Sequence, residues 1–138
     1  MRPKEYLSQL RRLKSMAHRI DEEIKALDAT MTSVKAINYD KVNVQATPEN
    51  RLEADIIRKD ELKRKLKDLR DEYYDRYIII CHQIQEMRSM GLYKDILTLR
   101  YMEGKSFRKI ADELNYSFEY IVNCHGKALK EFAEQYLD

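Results

Sequence analysis

Tryptophan is absent, and only three glycines and two prolines punctuate 138 residues. Sandwiches, barrels and Gly-rich nucleotide folds need turn residues at short intervals. So few breakers exclude them in favour of long helices. Long apolar runs are also missing. The longest stretch without a charged side chain is nine residues, 77–85, whereas a bilayer span needs about 20 apolar residues, so no membrane partner is expected. Met1-Arg2-Pro3-Lys4-Glu5 has no apolar segment behind its basic residues, and no signal peptide is expected. Cys81 and Cys124 make no disulfide framework, which points to a reducing, cytoplasmic setting. No phosphate-binding Gly loop, nucleophile elbow or zinc-protease helix motif occurs, so neither an enzyme nor a cofactor is expected.

A strong charge of one sign is lacking as well. Charged residues make up 36%, mean hydropathy is −0.70 and the net charge is +2. Residues 1–45 carry nine Lys/Arg and six Asp/Glu, residues 46–90 ten of each, and residues 91–138 seven and eight. No segment advertises a nucleic-acid binder by bulk charge, so any such reading must rest on placement.

What the chain does have is helical periodicity. Tyr6, Leu10, Leu13, Ala17, Ile20, Ile24, Leu27 and Met31 are spaced alternately by four and three, which keeps one apolar seam along a helix. From Thr32 to Thr47 the period is lost, and an irregular linker over 32–47 is expected, with a short extended piece at Val42-Asn43-Val44. Thr47-Pro48-Glu49 then reads as a helix start, with Thr as N-cap and Pro in the first turn. The second seam is Leu62, Leu66, Leu69, Tyr73, Tyr77, Ile80, Ile84 and Met87, extended weakly by Leu52 and Ile56. Its helix is expected to run to Met90, with Gly91 as its stop. At roughly 60 Å, such a helix cannot bury its stripe alone. It must pair with the first helix, with another copy of the chain, or with both.

Tyr73, Tyr74 and Tyr77 invite a base-stacking reading, but seam spacing assigns Tyr73 and Tyr77 to the core. The basic run Lys63, Arg64, Lys65 and Lys67 is flanked by acids, and a solvated, salt-bridged face is expected. Cys81-His82 and Cys124-His125 are adjacent pairs. Helix neighbours point about 100° apart and do not easily share an ion, so no metal is expected.

After Gly91, three shorter helices are predicted, near 92–102, 106–114 and 117–136. The last two carry the features of a helix-turn-helix. Ile110 and Leu114 face inward, and Ala111 is the small residue that admits the second helix. Asn115, four residues later, accepts a left-handed backbone. Tyr116 packs the turn, and Ser117 is an N-cap with Glu119 in the first turn behind it. Ile121 and Cys124 face inward on the second helix.

These residues resemble region 4 of the sigma-70 family. Leu99-Arg100-Tyr101-x-x-Gly104-x-Ser106 is similar to the end of the preceding helix and its turn. Phe107-Arg108-Lys109-Ile110-Ala111-Asp112-Glu113-Leu114 is similar to the first motif helix, and Ser117 through Leu129 to the recognition helix. The resemblance covers roughly residues 90–133. With the long charged helices ahead of it, the chain looks like the sigma-region-4-like regulators of late genes encoded by phages of Gram-positive hosts. The resemblance implies major-groove reading by Phe118, Glu119, Tyr120, Val122, Asn123 and Lys127. Glu119 would accept from a cytosine amino group, Asn123 would pair with adenine, and Phe118 or Val122 would touch a thymine methyl. It also implies phosphate contacts from Lys105, Arg108, Lys109, Ser117, Lys127 and Lys130. The sequence departs from the family where Phe118, Tyr120 and Val122 stand in place of arginines. Gly126 lies inside the recognition helix, at about 1 kcal/mol relative to Ala, and reads as a close approach by another helix.

The expected fold is all-α: a long helical hairpin or coiled coil over 1–90, then a sigma-region-4-like helix-turn-helix head over 91–138. The expected function is that of a regulator of phage or prophage late genes in the bacterial cytoplasm. Its partners would be double-stranded DNA and RNA polymerase, with the long helices forming a homo-oligomer, a dimer in the first instance. Two alternatives stay open. One is the DNA-recognition subunit of a phage packaging terminase, and the other is a sigma mimic that binds polymerase without reading DNA.

Overall fold

A computed structural model describes residues 1–36 and 48–137. Every regular element among them is helical: α1 (Pro3–Leu7), α2 (Gln9–Ala36), α3 (Pro48–Gln85), α4 (Gly91–Leu97), a π-helical turn (Thr98–Met102), α5 (Phe107–Leu114) and α6 (Phe118–Tyr136). The fold is all-α, with long helices in the N-terminal part, as the sparse breakers and the seams predict. None of the described helices is long and apolar enough to cross a membrane. The chain forms two compact units, Met1–Leu13 with Glu72–Asp138, and Lys14–Asp71.

In the Lys14–Asp71 unit, the two seams meet within one chain. Ile24, Leu62 and Leu66 are buried together, with Ala17, Ile20 and Leu27 against them. Ile56, the expected extension of the stripe, is 44% exposed. Ion pairs cross between the helices at Glu23–Arg58 (3.1 Å) and Asp28–Lys59. Both are partly exposed and contribute at most about 1 kcal/mol each. Lys63, Arg64, Lys65 and Lys67 are exposed, and among the described residues none makes an ion pair. That face is solvated without the expected salt bridges.

Three boundaries differ from expectation. α2 continues through Thr32 to Ala36. The Thr30 and Thr32 hydroxyls donate to the carbonyls of Ala26 and Asp28 (3.0 and 2.9 Å), and this back-bonding lets threonine sit inside a helix. The rest of the expected linker, with Val42-Asn43-Val44 and the Thr47 cap, lies outside the described residues. α3 ends at Gln85, not Met90, and Gly91 opens α4 instead of stopping α3. Side chains from later in the chain impose that end. The Lys94 ammonium donates to the Gln85 carbonyl (2.9 Å). The Gln135 amide donates to the Glu86 carbonyl (3.2 Å) and accepts from the Arg88 N–H (2.9 Å). Finally, the expected single helix over 92–102 is two elements. After Leu97 the hydrogen bonding lengthens, and the Glu103 N–H donates to the Thr98 carbonyl five residues back (3.1 Å).

The other unit holds two clusters. Leu7, Leu10, Ile80, Ile84, Met87, Leu97, Tyr101, Ala128 and Phe132 form the first, with Tyr6, Tyr73 and Tyr77 half-buried against it. The assignment of Tyr73 and Tyr77 to packing therefore holds, and Tyr74 is exposed. The Tyr6 hydroxyl donates to Gln83 Oε1 (2.7 Å) and ties α1 to α3. The second cluster joins α4, α5 and α6 through Ile96, Ile110, Ala111, Ile121 and Cys124. It is the platform for the surface described next.

Candidate functional site

α5 and α6 are set against each other by local chemistry. The Ser106 hydroxyl oxygen accepts from the Lys109 N–H (3.2 Å) and starts α5. Asn115 ends it at φ 60°, ψ 44°, the only described non-glycine residue with positive φ. Its carboxamide side chain tolerates that conformation better than most. Ser117 starts α6, its hydroxyl oxygen accepting from the Tyr120 N–H (3.1 Å). Ile110, Ala111, Ile121 and Cys124 are buried between the helices, and Leu114 packs beside them. These inward assignments agree with the spacing argument. Tyr116 does not pack into the turn as expected. It is 46% exposed, and its ring lies 5.0 Å from that of Tyr120.

The opposite face is open. Phe118, Glu119, Tyr120, Val122, Asn123 and Lys127 are all exposed, as are Arg108, Lys109, Ser117 and Lys130. Two of these residues are brought together directly: the Arg108 guanidinium stands 5.1 Å from the centre of the Phe118 ring, a cation–π contact that orients both. At 100° per residue, Glu119, Asn123, Gly126 and Lys130 share one outward line. Buried Ile121, Cys124, His125, Ala128 and Phe132 occupy the other side of α6. Among the described residues, Arg108, Lys109, Lys127 and Lys130 make no ion pair.

Lys105 behaves differently from the other cations. Its ammonium donates to both Glu113 carboxylate oxygens (2.8 and 2.9 Å) and lies 3.6 Å from Glu103. These bonds, that to Glu113 first, raise its pKa and hold the charge against α5. Lys105 is thus a link in the α5 loop, not a free cation of the open face. Gly126 also differs from expectation. A Cβ placed there would meet no atom within 4 Å, so none of the described helices approaches it closely.

Spacing gave no sign of a buried network behind the face. The Tyr101 hydroxyl and His125 Nε2 share a hydrogen bond of 2.7 Å. The His125 ring stacks on Tyr101 and meets Phe107 edge-on, at 5.7 and 4.7 Å. Arg100 lies 4.2 Å over the other partner, Phe107, and donates to the Lys105 carbonyl (3.1 Å). Burial, then the charges of Arg100 and Lys4, lower the His125 pKa to about 4. Burial likewise raises the Tyr101 pKa, against the pull of Arg100. The π-helical turn supplies Arg100 and Tyr101, so an irregular backbone fixes the contact between α6 and the loop before α5. An aromatic or basic residue every few positions from 100 to 107 was the available signal, but it does not name His125 as the partner.

Cys81 and Cys124 are free thiols. Among the described residues, no three His, Cys, Asp or Glu side chains gather as a metal set. A cleft of about 290 Å³ beside the π-helical turn is lined by Tyr77, Cys81, Ile84, Gln85, Thr98, Met102 and Glu103. Comparison with family models, curated proteins and solved structures finds no match for the chain.

Proposed function

We propose that the chain is a sequence-specific DNA-binding regulator of transcription, not an enzyme, and that the first turns of α6 enter the major groove. One observation carries the reading. The Asn115 turn and the buried Ile110, Ala111, Ile121 and Cys124 set α6 against α5, while its outward face is exposed and bordered by cations that form no ion pair among the described residues. In this reading Asn123 pairs with adenine, Glu119 accepts from a cytosine amino group, and Phe118 and Val122 contact thymine methyls. Arg108, Lys109, Lys127, Lys130 and the Ser117 hydroxyl set the register on phosphates. The resemblance to sigma region 4 supports a late-gene regulator of phage type acting in the bacterial cytoplasm. Dimerisation through the long helices would double the contacts of a weakly charged head.

A second reading has its own support. Tyr116, Phe118, Tyr120 and Val122 are all exposed, Tyr116 and Tyr120 with rings 5.0 Å apart, and aromatic side chains anchor protein interfaces. In that reading the same face docks on RNA polymerase.

Size-exclusion chromatography with light scattering separates these accounts, using protein alone and with fragmented genomic DNA at low and moderate salt. The regulator predicts a monomer or dimer that retains particular fragments. A closed ring of many subunits would point to a packaging terminase instead. Retention of no DNA at either salt would overturn the proposal and leave polymerase docking.

A further inference from the structure

We infer that Gly126 is the point of closest approach between α6 and double-stranded DNA, left bare so that the helix backbone can lie against the sugar-phosphate strand. This rests on the DNA-binding reading and narrows it to one position. Glycine in a helix interior is weaker than alanine there, and Gly126 sits nine residues into the 19-residue α6. Nothing among the described residues calls for it. Its backbone is helical, within Phe118–Tyr136, and its φ is not positive. A Cβ at 126 would stand in open space. Ala111 and Ala128, the small residues on the inner sides of α5 and α6, are buried at helix contacts. Gly126 is exposed, so no described residue of the chain accounts for its size.

Its surroundings indicate what lies there. On the outward line Asn123 precedes it and Lys130 follows it, with Val122 and Lys127 to the sides, all exposed. A partner helix or apolar protein surface would want apolar neighbours around the glycine. Here the neighbours are an amide, one valine and two lysines that form no ion pair among the described residues, which suits an anionic strand. When the first turns of a recognition helix enter the major groove, its later turns pass the backbone that flanks the groove. Gly126 lies about one turn beyond Asn123, the last residue given a base in the proposed reading.

The test uses the full chain with Gly126→Ala and Gly126→Leu. Thermal denaturation is read beside fluorescence anisotropy on a labelled DNA duplex retained by the unaltered protein. Both substitutions place a strong helix former in open space, so each is expected to raise Tm by about 2–4 °C. Affinity for the duplex is expected to fall about threefold for Ala and by about tenfold or more for Leu, in order of size. Raised Tm with unchanged affinity in both variants would overturn the inference while leaving DNA binding standing. A fall in Tm would reveal an internal contact at 126 and overturn it too. Loss of self-association with DNA affinity retained would assign the glycine to chain–chain packing, against the inference. If the unaltered protein binds no duplex, the DNA reading itself fails and takes this inference with it.

Discussion

His125 is held neutral between Tyr101 and Phe107, and that has a consequence for stability. Its pKa is lowered from 6.5 to about 4, by burial first and then by Arg100 and Lys4. Below pH 6.5 the unfolded chain takes up a proton that the folded chain refuses until about pH 4. The stabilisation is therefore complete above pH 6.5 and is lost as pH falls towards 4, by about 3 kcal/mol over that window. Thermal denaturation across pH 7 to 4 should show this loss. His125→Gln, which keeps a polar partner for Tyr101 but does not titrate, should show a shallower decline. Asn115 offers a second residue-scale test. At φ 60°, Asn115→Ala should destabilise by about 1 kcal/mol in urea denaturation, and Asn115→Gly should be neutral or better. The turn was legible in the sequence because its signals are local: a small residue, an asparagine four positions on, and a serine cap. His125 was not, because its partners arrive from a π-helical turn 24 residues earlier whose backbone no periodicity announces.

At the scale of elements, the seams were legible because apolar side chains must recur at helical spacing to be buried together. Leu10, Leu13, Ile24, Leu62, Leu66, Ile80, Ile84 and Met87 are all buried. The end of α3 was not legible, since Lys94 and Gln135 determine it and nothing at Gln85 marks it. Gln135→Ala removes both of its bonds to the 86–88 segment and should destabilise by about 1–2 kcal/mol, read as a lower urea midpoint. The candidate site divides in the same way. The outward positions of α6 followed from the position of its cap and its 3.6-residue period. The state of Lys105 depended on Glu113 across the α5 loop, and no spacing rule reveals that pairing. Lys105→Ala should therefore lower DNA affinity less than Lys127→Ala does, in anisotropy measured at one salt concentration.

For the whole molecule, charge is the informative quantity. In the DNA-binding reading, a net charge of +2 leaves affinity to placement, and the open face offers four cations that make no ion pair among the described residues, Arg108, Lys109, Lys127 and Lys130. Counterion release then limits the slope of log affinity against log salt to about −4 per head, and Lys127→Ala should flatten it by about 1. A steeper slope would bring in cations elsewhere, such as the exposed Lys63–Lys67 run. The division into two compact units was hidden from the sequence. Residues 1–13 and 72–90 belong with the C-terminal helices, although the shorter helices expected after Gly91 suggested a boundary there. Helical periodicity runs through α2 and α3 without registering which unit each stretch helps to build.

The central claim is that α6 reads base sequence. Selection from a random duplex library at low salt, run in parallel with the unaltered protein and with Asn123→Ala, tests it most directly. The account predicts that the unaltered protein enriches a defined motif, and that Asn123→Ala loses the preference for adenine at one position while binding elsewhere in the motif persists. No enrichment by the unaltered protein, or an identical motif from both proteins, would contradict it.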